Sequence, residues 1–384
     1  MLSAPAVPPP RPLTVMQLLP ALESGGVERG TLEIAEALIA AGHRALVVSG
    51  GGRLVAELEA LGAEHVTLPI GRKSLLSLRY IPVLRRLLQE NQVDVLHLRS
   101  RLPAWLGYLT WRSLPAGQRP HLVTTVHGAY SVNRYSAIML RGERVIAVSD
   151  TIVEYIHQNY PPIDPARIVR IHRGVDPARF PHGYQPDPAW LAAWQAQYPQ
   201  LQGAWVLTLP GRITRWKGQL DFLRIVAALR QQGIPVQGLI VGGVEPRRQG
   251  FAQEIEQEIA ALGLQACITL TGQRSDLKQI MAISAVVLSL STDPEAFGRV
   301  SLEALSLGRP VLAYAHGGVG EQMAAIYPAG AVAVGDVAAS VARLAEWYAG
   351  GAPPVPTAQP FTLAAMQAQT LAVYEALAGA AQEA

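Results

Sequence analysis

Asp293-Pro294-Glu295-Ala296-Phe297-Gly298-Arg299-Val300-Ser301-Leu302-Glu303-Ala304-Leu305 follows directly on an apolar run, Ala285-Val286-Val287-Leu288-Ser289-Leu290. The run reads as a buried strand, and the residues from Arg299 onward as the helix it feeds. The first N–H groups of such a helix have no partner in the helix, and its dipole favours negative charge, so the junction is a natural anion site. Glu295 falls in the loop before the helix and Glu303 inside it. A helical run of eight positions would rise about 12 Å, whereas glycosidase carboxylates flank one bond at about 5–9.5 Å. The two carboxylates therefore fit two ends of one extended, polyhydroxylated, anionic ligand better than an acid and base around one bond.

Working outward, short apolar runs alternate with amphipathic helical patterns, the mark of parallel α/β units. Strands are expected at 14–19, 45–49, 93–98, 122–126, 145–148 and 168–171, and a second series at 205–209, 236–241, 268–271, 285–290 and 311–314. The stretch from Phe180 to Gly203 shows no clear strand and is expected to link two domains. Gly350 to Pro360 is a Gly/Pro-rich break, and a helix from Leu363 to Leu377 is left over after the second series. Two doubly wound domains would bind ligand at the carboxyl ends of their strands, in a cleft between them.

The 384 residues, 49% of them hydrophobic, suffice for two domains, and the net charge of +3 does not point to nucleic-acid binding. The N-terminal half carries the excess of Lys and Arg, which fits either an acidic partner or simply an uneven solvated surface. Cys267 is the single cysteine. It excludes a disulfide within the chain, fits a reducing compartment, and sits in an apolar pattern expected to be core. Residues 1–12, rich in Pro, read as a disordered tail and not a signal peptide. No stretch approaches the ~18–20 apolar residues of a membrane span. The segment Leu75–Leu88, with Arg79, Arg85 and Arg86, has the pattern of a basic amphipathic helix that docks on an anionic bilayer or packs on the core. Pro82 counts against one unbroken helix there.

Three further constellations stand at strand ends. Gly211-Arg212-Ile213-Thr214-Arg215-Trp216-Lys217-Gly218 carries two cations five positions apart, fit for a diphosphate or for an exposed basic loop. It lacks the order of a P-loop. Gly25-Gly26 permits close backbone approach to a phosphate or sugar, or a tight turn without ligand, and is no dinucleotide fingerprint. His127-Gly128 ends the strand 122–126, where the imidazole serves a sugar hydroxyl, acid/base work or a loop contact. The remaining His residues have no metal-ligand spacing. No Asp-x-Asp pair occurs, so any leaving diphosphate falls to Arg212, Lys217 and helix N-termini, with no metal.

Glu295-x7-Glu303 together with Arg212 and Lys217 resembles the large family of retaining GT-B glycosyltransferases, in which two Rossmann-like domains face a central cleft. The resemblance runs from Gly25-Gly26 to Gly317-Gly318. Residues 25–33, Arg99-Ser100-Arg101 and Arg173-Gly174-Val175-Asp176 look most like the subgroup building lipopolysaccharide cores and related surface glycans, although many members have Asn where Arg173 stands. The resemblance implies an acceptor domain of residues 13–185 plus 361–384 and a donor domain of residues 200–355, with the last helix crossing back to the first. It implies that Arg212 and Lys217 hold the diphosphate of a UDP- or GDP-sugar and that Glu295 binds the sugar hydroxyls, aided by backbone N–H groups of Phe297 and Gly298. Glu303 would bind the ribose, Val300 and Ser301 the phosphate through their backbone, Gly26 the phosphates or acceptor, and His127 the donor sugar. The implied reaction moves a hexose to a glycan or glycolipid acceptor with retention, without metal or cofactor, in a cell-envelope pathway, with the enzyme either free in the cytoplasm or peripheral on the inner face of the cytoplasmic membrane. A nucleotide-sugar 2-epimerase and a non-catalytic nucleotide-sugar-binding protein are the alternatives. Nucleotide, sugar, acceptor, linkage and oligomeric state stay open.

Overall fold

The computed structural model describes residues 11–23, 25–244 and 249–380. Most of the expected tail, residues 1–10, lies outside these. Arg11 is ordered against Asp94 at 2.6 Å. The chain divides into two compact units, one of residues 1–172 with 364–384 and one of residues 173–363.

The first unit is built on seven parallel strands: β1 (Thr14–Leu18), β2 (Arg44–Ser49), β3 (Glu64–Thr67), β4 (Val95–Leu98), β5 (His121–Val126), β6 (Arg144–Ala147) and β7 (Ile168–Arg170). Their order is β3-β2-β1-β4-β5-β6-β7. Winding reverses between β1 and β4, which opens a crevice at their carboxyl ends. The central strands are apolar and buried because helices cover both faces. Polar exceptions line one face. Gln17 stands opposite His97 in register, and the His97 ring lies 2.7 Å from the Tyr374 hydroxyl and 2.7 Å from Thr125 Oγ1. Tyr374 belongs to the last helix, Leu363–Ala380, so a buried polar chain ties that helix to this sheet. Burial pushes the Tyr374 hydroxyl far above its ordinary range.

The second unit repeats the plan with six parallel strands: β8 (Trp205–Pro210), β9 (Val236–Val241), β10 (Ile268–Leu270), β11 (Val286–Ser289), β12 (Val311–Tyr314) and β13 (Ala331–Val332). Their order is β10-β9-β8-β11-β12-β13. The switch point falls between β8 and β11, which pair Val286 with Leu207 and Val287 with Thr208. The loops carrying Lys217 and Glu295 are thereby neighbours. Cys267 is buried, and burial raises its thiol pKa.

Phe180–Gly203 is no linker. It contains the helix Pro188–Gln197, whose Asp187 side chain accepts from the Ala189 N–H and whose first position is Pro188. Trp190, Trp194 and Tyr198 form its packing stripe: the two indoles stack at 5.4 Å, and Trp194 packs in a cluster with Leu201, Val206, Leu239 and Ile280. Aromatic spacing of four, scattered among Gln and Ala, was the overlooked helical signal. The division between units consequently falls at Arg173, earlier than the 185–200 boundary. The segment 75–88 is not one unbroken helix, in line with the expectation drawn from Pro82. A 3-10 turn spans Leu75–Arg79 and an α-helix spans Tyr80–Glu90. Pro82 sits in the first turn of the latter, where its missing N–H costs nothing. Leu84 and Leu88 face the core while Leu75 and Leu76 stay 87% and 70% exposed. Finally, Glu64–Thr67 is an edge strand too short and polar, and Ala331–Val332 an edge strand too short at two residues, to announce itself.

Within the second unit, residues 173–176 and 361–363 run side by side. Val175 N–H donates to the Phe361 carbonyl at 3.1 Å and Leu363 N–H to the Val175 carbonyl at 2.8 Å. A Cβ on Gly174 would lie 2.1 Å from the Thr362 carbonyl oxygen, a clash between two backbones with no rotamer to relieve it. Gly174→Ala is expected to destabilise the protein by about 1–3 kcal/mol, read as a lower urea midpoint with unchanged slope.

Candidate active site

The loop after β8 is shaped by close backbone approaches. A Cβ on Gly242 would lie 1.8 Å from the Gly211 carbonyl oxygen, and one on Gly218 would lie 2.1 Å from that of Leu290. Gly218 also has φ 76°, in the left-handed region, where it starts the helix Gln219–Gln231. These contacts press the loop against the ends of β9 and β11. Thr292 N–H donates to the Trp216 carbonyl at 2.8 Å and joins the two loops directly. The Lys217 ammonium then sits 4.4 Å from the centre of the Trp216 ring and donates to Glu295 Oε1 at 2.7 Å. Both side chains of this pair are 18% exposed.

The loop after β11 is held by the segment after β12. Gly318 N–H donates to the Glu295 carbonyl at 2.8 Å. His316 Nε2 lies 2.7 Å from the Ser291 carbonyl, and Ser291 Oγ donates to Glu295 Oε1 at 2.5 Å. Gly298, at φ 86°, caps the helix Arg299–Ser306. Ser301 Oγ lies 2.8 Å from both the Gly298 carbonyl and Gln322 Oε1, and its one proton serves one acceptor at a time. Gln322 Nε2 donates to the Phe297 and Gly298 carbonyls. The side chains of Ser301 and Gln322 are thus occupied in bracing the turn, which leaves the first-turn backbone N–H groups of Val300 and Ser301 as the helix's anion-facing donors.

Lys217, Glu295, Gly298, Val300 and Ser301 line one small cavity at the carboxyl ends of β8 and β11, together with Ser291. Other expected residues are placed apart from that lining. Arg212 is exposed on the loop after β8, its carbonyl accepting from Gln219 Nε2 at 3.0 Å. The Phe297 ring is buried edge-on to Phe361, centres 5.6 Å apart, so only its backbone is offered. Glu303 lies further along the helix, with Oε1 3.6 Å from Arg299 Nε. Gly26 and His127 belong to the first unit. Gly26 is the first residue of the helix Gly26–Ala40, after Gly25 at φ 146°. His127 follows β5, and its N–H donates to the Tyr130 hydroxyl at 3.2 Å. Sequence reasoning missed Ser291, His316 and Gln322. The available signals were Ser291 four positions before Glu295 and His316 directly before the glycine pair that ends β12.

Two parallel doubly wound units, the second with a Lys–Glu pair and an open helix N-terminus at its switch point, define the GT-B architecture. The comparisons agree. Residues 24–179 match the family model Glycosyltransferase Family 4, and residues 192–356 match Glycosyl transferases group 1. Each unit thus matches a glycosyltransferase family model, and together they have the GT-B glycosyltransferase fold. It is 30% identical to a D-inositol 3-phosphate glycosyltransferase of Rhodococcus erythropolis over 56% of its own length and 52% of that protein. A lipopolysaccharide 1,2-N-acetylglucosaminetransferase of Salmonella typhimurium is 31% identical over 31% of this chain and 32% of its own. The chain therefore spans about half, or less, of the curated relatives it matches here. Among solved structures, a glycosyltransferase from Rickettsia africae superposes with TM-score 0.81 and 28% identity, covering 95% of this chain and 98% of that one. Anabaena HepE, solved in complex with UDP-glucose, has the same fold, with TM-score 0.77, 21% identity, and 95% and 100% coverage.

Gly298 tests the turn. A Cβ there would lie 2.3 Å from Val319 Cγ2, in a backbone conformation that disfavours side chains. Gly298→Ala is expected to lower Tm by at least about 2–4 °C, whereas Gly250→Ala, which meets open space, lowers it little in the same thermal scan.

Proposed function

We propose that the protein transfers a hexose from a nucleoside-diphosphate sugar to an acceptor hydroxyl with retention of configuration and without a metal ion. The observation that carries this reading is the convergence of Lys217, Glu295 and the Gly298–Ser301 turn on one cavity. An ammonium and free helix N–H groups stabilise charge that grows on a leaving diphosphate. Glu295 accepts from the hydroxyls of the sugar, Glu303 serves the ribose, and Arg212 closes on the diphosphate from the exposed loop. The C1–O bond to the diphosphate breaks, the acceptor oxygen bonds to C1 on the same face, and the acceptor proton passes to the departing phosphate oxygen. The one carboxylate lining the cavity, Glu295, is already engaged by Lys217, so the cavity offers a divalent ion a poor set of ligands.

For the acceptor we favour a surface glycan or glycolipid on the cytoplasmic face, in keeping with residues 99–101 and 173–176. The exposed Leu75, Leu76 and Leu78 beside Arg72, Lys73, Arg79 and Arg86 support peripheral contact with an anionic bilayer. Among the described residues no helix is long and apolar enough to cross a membrane. The relatives named as D-inositol 3-phosphate glycosyltransferases favour a second reading, a small phosphorylated cyclic polyol as acceptor.

Lys217→Ala and Glu295→Ala are each expected to reduce transfer by about 10²–10³-fold with the fold retained. Activity is followed as release of nucleoside diphosphate from UDP-, GDP- and ADP-sugars with either acceptor class, and near-wild-type turnover in either variant refutes the donor site. EDTA leaves the rate unchanged if the reaction needs no metal. Replacing Arg79 and Arg86 by Ser weakens sedimentation with phosphatidylglycerol vesicles, and unchanged sedimentation removes the membrane contact.

A further inference from the structure

We infer that Ser291 and His316 are positioning residues that set the affinity of Glu295 for the donor sugar by fixing which of its two oxygens faces the sugar. The inference rests on the donor-site reading above and deepens it.

Both side-chain donors that reach the Glu295 carboxylate among the described residues go to the same oxygen. Lys217 Nζ donates to Oε1 at 2.7 Å and Ser291 Oγ donates to Oε1 at 2.5 Å. The second contact has the length of a charge-assisted O–H···O⁻ bond. Oε2 keeps its lone pairs for ligand hydroxyls. The terminal torsion of a Glu side chain is broad and nearly two-fold, so one anchor on Oε1 would allow the carboxylate plane to swing about that contact. A second donor from a different direction fixes the plane.

Ser291 is itself fixed. It is 4% exposed, and its carbonyl takes the proton of His316 Nε2 at 2.7 Å. A carbonyl only accepts, so the imidazole carries its proton on Nε2. His316 also stands at the N-cap of the helix Gly317–Ile326. Two residues on, Gly318 N–H holds the Glu295 carbonyl at 2.8 Å. One short segment thus grips the backbone at both ends of Ser291–Glu295. Neither Ser291 nor His316 needs to touch the diphosphate, which Lys217 and the helix N-terminus serve.

This division separates sugar binding from diphosphate binding. With UDP and UDP-glucose, GDP and GDP-mannose, and ADP and ADP-glucose as probes, calorimetry first identifies the pair that wild type binds. Ser291→Ala and His316→Ala are then expected to lose the extra affinity that the sugar conjugate has over its diphosphate, with affinity for the conjugate falling about tenfold and affinity for the diphosphate unchanged. Ser291→Thr, which retains the hydroxyl, restores it. The double variant is no worse than either single one, because both act through one carboxylate. Equal loss for diphosphate and conjugate would mean a merely structural role and overturn the inference, as would full affinity for both in the two Ala variants. Wild-type protein that binds none of the six probes fails the donor-site reading itself, and the inference with it.

Discussion

A hydrogen-bonded ammonium–carboxylate contact, Lys217 to Glu295 at 2.7 Å, organises the second unit's ligand edge. Neither charge is fully hydrated, each side chain being largely withdrawn from solvent. A pair like this contributes little to net stability, since desolvation offsets much of the attraction. Its value is positional. It joins the loop after β8 to the loop after β11, and the parallel pairing of those two strands makes the contact geometrically available. A diphosphate would compete with the carboxylate for the same ammonium, and a sugar hydroxyl would compete with nothing at Oε2. On the proposed donor reading, the Glu295 carboxylate is an internal stand-in for part of the ligand at that ammonium.

Glycine makes that contact reachable. The approaches at Gly218 and Gly242 are backbone against backbone, and Gly318 packs with its Cβ position 2.4 Å from the Phe297 Cα. Any side chain at these points would lift one loop off another by more than a hydrogen bond tolerates. The consequence is a site whose precision comes from packed main chain, with few side chains devoted to it. The polar side chains that brace it, Ser301 and Gln322, face inward and are buried at 1% and 0% exposure.

Much of this was legible from sequence. The run 285–305 gave strand, loop and helix because its apolar block and its Gly298 are local signals, and the alternating pattern gave two doubly wound sheets. Lys217 and Glu295 lie side by side because their loops leave two paired strands, β8 and β11, at one switch point. What escaped notice has a common character. Ser291 and His316 are ordinary polar residues whose role arises from a contact across 25 positions, which no local pattern encodes. The helix Pro188–Gln197 was hidden because its packing stripe is aromatic and its remaining residues are mostly Ala and Gln. The 3-10 turn before Tyr80 was missed because periodicity cannot tell where a helix begins when a proline tolerates the first turn.

The polar chain of His97, Thr125 and Tyr374 joins residues 277 positions apart. The first unit is therefore discontinuous in the chain: its whole seven-stranded sheet is made before any of the second unit, yet the helix that covers one face is made only after that unit. During synthesis that face, with its buried His97 and Gln17, must wait through the whole of the intervening unit for its cover. Such long-range closure is slow by nature. The order of assembly is thus written into the topology, with the second unit free to complete itself while the first remains open, and the last helix acting as the final latch of folding.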